Sequence, residues 1–226
     1  MEGVKESNIT GSTKLIPYDS IRNIVQQMER GICKIKIGIE QGTGFFCKIP
    51  FPNKENMLPV FITNNHVINE ELFNEKIQIK IKEEKNKKYI NLNKNRKKYT
   101  NEKYDITIIE IIEEDNINNY LELDDKILND IINNENENEE YSGETIYIIQ
   151  YPEGELSVSF GLLNEIPINK CYTLLHKSYT NRGSSGSPIL NLQNKIIGIH
   201  KEGDKKNLIL VNMKFCLPVF LFSCIN

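Results

Sequence analysis

Apolar and polar residues alternate through most of this chain, and one stretch breaks the habit. From residue 19, Ile21, Ile24, Val25 and Met28 fall at i, i+3, i+4 and i+7, the repeat of a helix with one apolar face. Asp19 or Ser20 stands where an N-cap belongs, and Gly31 where a helix stops. Residues 1–18 read as a flexible lead. After Gly31 the period becomes two: Cys33, Ile35, Ile37 and Ile39 alternate with Lys34, Lys36 and Gly38, which predicts a half-buried strand. Residues 41–44 (Gln-Gly-Thr-Gly) read as a turn into a second strand over 45–49. Further strands are expected at 58–63, 77–81, 89–92 and 105–112, then at 145–150, 156–163, 172–176, 188–190, 196–200 and 208–214. Many short, closely spaced strands with turn residues between them predict an all-β sandwich or barrels.

Composition narrows the classes. The chain has 226 residues, 39% of them hydrophobic, enough for a sizeable core in a single all-β unit. No apolar run approaches the ~20 residues needed to span a bilayer; the longest, residues 217–225, stands at the end of the sequence. A formal charge of −3 gives no reason to expect a nucleic-acid partner. The opening residues lack the apolar core of a secretory signal. The five cysteines (Cys33, Cys47, Cys171, Cys216, Cys224) are odd in number and form no CxxC pair. An intracellular, cytoplasmic setting with free thiols is expected. The three histidines stand far apart, so no metal and no cofactor is expected.

Charge is segregated. Residues 110–140 hold twelve acids against one lysine and end in Asn-Asn-Glu-Asn-Glu-Asn-Glu-Glu, whereas residues 80–103 hold ten bases against three acids. Both read as solvated loops that could also pair with each other across the surface. The division expected is a lead and helix over 1–30, a first β unit over 31–115, an acidic linker over 116–140 and a second β unit over 141–226.

Three short stretches carry candidate chemistry. Residues 62–68 (ITNNHVI) end a strand in a polar turn at His66, residues 104–111 (YDITIIEI) open an apolar strand with Asp105, and residues 182–190 (RGSSGSPIL) hold Ser185 in a glycine-flanked turn. Nucleophilic hydrolysis needs a hydroxyl, a base to take its proton and a carboxylate to fix the base's tautomer. Glycines at 183 and 186 permit the backbone geometry that lets amide hydrogens converge on a developing oxyanion.

The order and contexts of these stretches resemble the trypsin-like (chymotrypsin-fold) serine proteases over nearly all of residues 31–216. GTGFF at 42–46 is similar to the strand–turn–strand before the family's histidine, GSSGSP to its nucleophile motif, and IYIIQYPEG at 146–154 to a strand and turn preceding the active-site loop. The resemblance implies two six-stranded antiparallel β-barrels, one short N-terminal helix, a short C-terminal segment and a cleft between the barrels. It implies a His66–Asp105–Ser185 triad, an oxyanion hole from the N–H groups of Gly183 and Ser185, and a protein or peptide substrate. Ser184 stands where secreted, zymogen-activated members carry an Asp, and their disulfides lack partners here. The closer relatives are the glutamyl-endopeptidase and high-temperature-requirement types, and the pattern is closest to the first: GIHKEG at 198–203 resembles the segment whose histidine lines the specificity pocket, and Thr180 matches a pocket threonine. Thr180 and His200 would then donate to a substrate Glu or Asp before the scissile bond, with Lys201 to Gly203 pairing with the substrate backbone. His176 matches no motif position.

The competing reading is a latent or silent peptide-binding module whose loop at Gly183 needs a regulatory protein partner to order it. An ester hydrolase of the α/β type is disfavoured, because its triad runs Ser, Asp, His among alternating helices.

Overall fold

The computed structural model describes residues 14–37, 40–52, 55–82, 88–93, 95–126, 143–164, 173–203 and 208–212. Residues 1–13 of the expected lead, most of the expected linker, the tail beyond 212 and Cys171, Cys216 and Cys224 lie outside them. The helix α1 spans Tyr18–Arg30. Pro17 takes the N-cap place instead of Asp19 or Ser20, a position that needs no N–H of its own. Gly31 closes the other end, its N–H donating to the Gln27 carbonyl at 2.9 Å.

The apolar stripe of α1 does less than its spacing suggests. Ile24 is buried, but Ile21 and Val25 stay 48% and 46% exposed. Polar side chains dock the helix instead: Gln27 Nε2 donates to the Asn194 carbonyl at 2.8 Å, and Asn23 Nδ2 to Asn194 Oδ1 at 3.2 Å.

Among the described residues, fourteen strands form two sheets of seven. The first holds β1 (Ile32–Ile37), β2 (Glu40–Pro50), β3 (Met57–Thr63), β4 (Lys76–Ile81), β5 (Lys88–Asn91), β6 (Lys98–Asn101) and β7 (Ile106–Glu110) in the order β5-β4-β1-β2-β3-β7-β6. The second holds β8 (Glu122–Leu123), β9 (Thr145–Gln150), β10 (Ser157–Asn164), β11 (Thr173–His176), β12 (Pro188–Asn191), β13 (Lys195–Gly203) and β14 (Leu208–Asn212). Here the pairing of β12 with β13 closes a ring of six antiparallel strands, and β8 joins β13 in parallel. The fold is mostly β, with one α-helix among the described residues, as expected. The second sheet holds the expected six-stranded antiparallel barrel with one parallel strand added, whereas the first is an open row of seven strands among the described residues.

The expected turn at 41–44 is strand. Gly42 pairs with Ile35 and Gly44 with Cys33. The glycines serve close approach: a Cβ at Gly44 would stand 2.3 Å from the Phe61 ring, and one at Gly42 2.7 Å from Val67.

Strands β2, β3 and β7 are buried on both faces. Phe45, Cys47, Val60, Ile62, Ile106 and Ile108 face a core shared with Ile146, Ile148 and Ile189 of the second sheet. Phe46, Phe61 and Ile109 face the opposite way, onto Ile35, Ile77 and Ile79. Each such fully buried side chain contributes about 1.5–3 kcal/mol. The two-residue period thus joins the sheets through one apolar layer, and it fixes the edge where β3 ends and β7 and β12 begin.

The start of the expected acidic linker is structural. Leu121 donates its N–H to the Phe46 carbonyl at 2.7 Å, and Leu123 is buried on the second sheet. The basic and acidic segments do meet, through a buried Arg96–Asp115 ion pair at 2.8 Å and a Lys97–Glu110 pair at 3.7 Å.

Candidate active site

Strand β3 ends at Thr63, and a tight turn follows in which the Asn64 carbonyl accepts the N–H groups of Val67 and Ile68 at 3.2 and 3.1 Å. That turn lifts His66 out of the core. Across from it, Asp105 precedes β7 in the left-handed region (φ 52), a conformation Asp tolerates better than most residues. Asn64 Nδ2 holds the Asp105 carbonyl at 2.8 Å. The Asp105 carboxylate then meets His66 twice, with Oδ1 accepting the backbone N–H at 2.9 Å and Oδ2 facing Nδ1 at 2.8 Å. A carboxylate only accepts, so Nδ1 carries the proton and Nε2 is left as the acceptor. The histidine side chain is 47% exposed and the aspartate 7%, so the ring is open to a substrate while its orienting group is shielded.

Ser185 lies half-buried in a turn fastened at several points. Ser184 donates its N–H to the Asn181 carbonyl at 2.9 Å, and its Oγ accepts the Asn181 N–H at 3.0 Å. Ser184 therefore closes the turn internally. Gly183 and Gly186 have φ of 96 and 84. A Cβ at Gly183 would stand 2.5 Å from the Tyr151 carbonyl, and one at Gly186 2.1 Å from that of Thr43, so both positions need glycine twice over. Gly186 N–H donates to the His200 carbonyl at 3.0 Å and His200 N–H to that of Ser187 at 2.8 Å, which ties the turn to β13.

The carbonyl directions matter. Arg182 C=O accepts the Glu153 N–H at 2.7 Å, and Ser184 C=O accepts the Ser187 N–H at 3.1 Å. In a planar trans peptide the N–H points opposite to the C=O. Those two bonds consequently aim the N–H groups of Gly183 and Ser185 away from Glu153 and Ser187.

A model of the trypsin-like peptidase domain matches residues 42–199, a segment that holds His66, Asp105 and Ser185. The chain belongs to this family. It is a trypsin-like serine protease. Among solved structures, the protease is similar to the serine endoprotease from Yersinia pestis (13% identity, TM-score 0.62, covering 93% of this chain and 69% of that one). It is also similar to Deg5 (18% identity, TM-score 0.60, 88% and 91% covered) and to the inactive form of the Rv3671c protease of M. tuberculosis (14% identity, TM-score 0.58, 89% and 93%). At these identities the likeness speaks for the fold. None of the three is named a glutamyl endopeptidase. No curated protein matches the chain in sequence. No helix among the described residues is long and apolar enough to cross a membrane.

The protease places the predicted pocket residues on two neighbouring segments. Thr180 is half-buried on the loop before Ser185. His200 is buried on β13, and the pairing of β12 with β13 ends at Ile199, so Lys201 and Gly203 run past the end of β12. A bulge between His200 and Glu202 leaves Lys201 outside the register with β14.

Sequence reading set His176 aside, yet it stands beside His200 with Nε2 3.1 Å from Nδ1. Ser178 N–H donates to His176 Nδ1 at 3.3 Å, so a neutral His176 carries its proton on Nε2 and gives it to His200 Nδ1. His200 then bears its own proton on Nε2. Burial lowers His176 to about 3, helped by His200, and lowers His200 to about 4, helped by His66, so both rings are neutral near pH 7. Thr43, Glu153 and Asn181 were missed as well. Asn181 Nδ2 donates to Glu153 Oε1 at 2.7 Å, bracing the turn that holds Arg182.

Proposed function

We propose that the protein is an endopeptidase in which Ser185, His66 and Asp105 act as one unit. Ser185 Oγ attacks the scissile carbonyl as its proton passes to His66 Nε2, forming the C–O bond of a tetrahedral intermediate. The C–N bond then breaks, and His66 returns the proton to the leaving amine. Water, deprotonated by the same nitrogen, then attacks the acyl carbon, and as the ester C–O bond breaks His66 returns that proton to Ser185 Oγ, releasing the carboxylic acid. The N–H groups of Gly183 and Ser185 receive the oxyanion. The observation that carries this reading is the double contact of Asp105 with the ring and backbone of His66, which leaves Nε2 as the base. The hold of Glu153 on the Arg182 carbonyl favours a cleaving enzyme over a silent binding module, because the opposed Gly183 N–H is then available to the substrate.

A preference for Glu or Asp before the scissile bond is the finer part of the proposal. The bonds from Ser178 through His176 make His200 a donor without charging it, and a carboxylate is the group such a donor, with the Thr180 hydroxyl, would take. Lys201 to Gly203 would pair with the substrate backbone as an added strand.

The test is labelling by a fluorophosphonate probe, wild type against Ser185→Ala, with the adduct mapped by mass spectrometry. Adduct on Ser185 alone is expected. Matched peptides differing only in Glu or Gln before the cleaved bond then address His200: His200→Phe should lose about 10–100-fold in kcat/KM on the Glu peptide and much less on the Gln peptide. Equal losses would remove the acidic preference, and an unlabelled folded wild type would remove the triad.

A further inference from the structure

Gly183 is the hinge on which the proposed oxyanion hole depends, and glycine does not hold a conformation by itself. Other groups must fix the two peptides that flank its Cα. The peptide before it is held by Glu153, as described. The peptide after it is held at both ends: within the loop the Ser184 N–H donates to the Asn181 carbonyl at 2.9 Å, and from the other sheet the hydroxyl of Thr43 donates to the Gly183 carbonyl at 2.8 Å.

Thr43 sits in β2 with no exposed surface. Its Oγ1 also accepts the Tyr151 N–H at 3.1 Å. An N–H can only donate and a carbonyl only accept, so the hydroxyl proton is committed to Gly183. Two backbone bonds add to this. The Thr43 N–H donates to the Ser185 carbonyl at 2.8 Å, and the Thr43 carbonyl accepts Thr63 Oγ1 at 2.9 Å, one residue before the turn that carries His66. One residue thus touches the nucleophile loop at two carbonyls, the turn after β9 at one N–H and the end of β3 at one hydroxyl. Its β-branched side chain has few rotamers to spend, so the hydroxyl is pre-set.

We propose that Thr43 is a positioning residue: its hydroxyl sets the orientation of Gly183, and with it the N–H that stabilises the oxyanion, across the junction of the two sheets. This rests on the triad and oxyanion reading above. A threonine that merely fills the core would matter through its shape. One that positions the loop matters through its hydroxyl.

The experiment compares wild type with Thr43→Val, which keeps the shape, Thr43→Ala, which keeps neither and relieves any crowding, and Thr43→Ser, which restores the hydroxyl. Three readouts are taken on proteins with matched folding by thermal melt. The first is kcat against KM. The second is affinity for a peptidyl trifluoromethyl ketone, whose adduct carries an oxyanion, against affinity for the acyl-side cleavage product, which carries none there. The third is amide hydrogen exchange over residues 181–187. For Thr43→Val and Thr43→Ala, kcat should fall about 10²-fold with KM within about twofold, the scale of losing one oxyanion donor or of a slight misplacement. Ketone affinity should fall in step while product affinity holds, exchange should rise about tenfold, and Thr43→Ser should restore all three. Wild-type kcat in a folded Thr43→Val, or parallel losses of ketone and product binding that Thr43→Ser fails to restore, would overturn the proposal. A wild type without Ser185-dependent turnover would overturn the triad reading instead. The exchange arm would still decide Thr43, since unchanged exchange over 181–187 overturns its role whatever the activity.

Discussion

Asp105 holds His66 at both its ring and its backbone, from a left-handed backbone position that is itself pinned by Asn64. The ring contact selects a tautomer; the backbone contact fixes where the ring starts from. Asp105→Asn keeps the size and tolerates the same backbone region. Its amide can still accept from the backbone N–H, but it then presents a donor to Nδ1 and reverses the tautomer. The expected outcome is a melting temperature within a few degrees of wild type and a kcat lower by about 10⁴ near pH 7. A loss under tenfold would show that the ring does not depend on Asp105.

The glycines at positive φ separate strain from collision. Gly143 has φ 77 with nothing within 4 Å of an added Cβ, whereas Gly186 has φ 84 and a Cβ there would meet Thr43 O at 2.1 Å and Thr63 Oγ1 at 2.3 Å. Gly143→Ala should cost about 1–2 kcal/mol in urea unfolding. Gly186→Ala should cost about 3 kcal/mol or more, because crowding adds to the same strain. Equal costs would refute the role of close approach.

Two ion pairs should differ in the same assay. Arg96 and Asp115 are almost wholly shielded, and Asp115 Oδ2 also accepts the Ile112 N–H at 3.0 Å. Asp115→Ala should destabilise by about 3–5 kcal/mol, since it strands a buried guanidinium. Lys195 pairs with Glu122, whose side chain is 73% exposed, and Glu122→Ala should change stability by less than about 1 kcal/mol.

Acid should act through the buried histidine pair. His176 and His200 titrate near 3 and 4 in the folded protein but at the ordinary 6.5 once unfolded. Between those values the unfolded chain binds more protons, so the pair's contribution is whole above about pH 6.5 and is lost as pH falls toward 4. Melting temperature should fall across that window. His176→Gln keeps a donor toward His200 while removing one titrating group, and its fall should be shallower. A fall of the same steepness would show that the carboxylates alone are responsible.

Much of this protein was legible locally. The two-residue period of residues 33–37 and 77–81 and the helical spacing after residue 19 depend on near neighbours, and those elements stand where their patterns put them. What depended on distant partners was hidden. The Gly-Thr-Gly at 42–44 reads as a turn until Phe61 and Val67 are seen to need the space. Lys98–Asn101 has no alternation, yet becomes a strand because β7 offers it an edge. Tertiary structure also set α1 on polar contacts with Asn194, joined His176 to His200 across 24 residues of sequence, and brought Thr43 to Gly183 across 140. Side-chain periodicity records which face of an element is buried. It carries no record of which atom across the core will share a proton with it, and that is decided only when the two sheets close on each other.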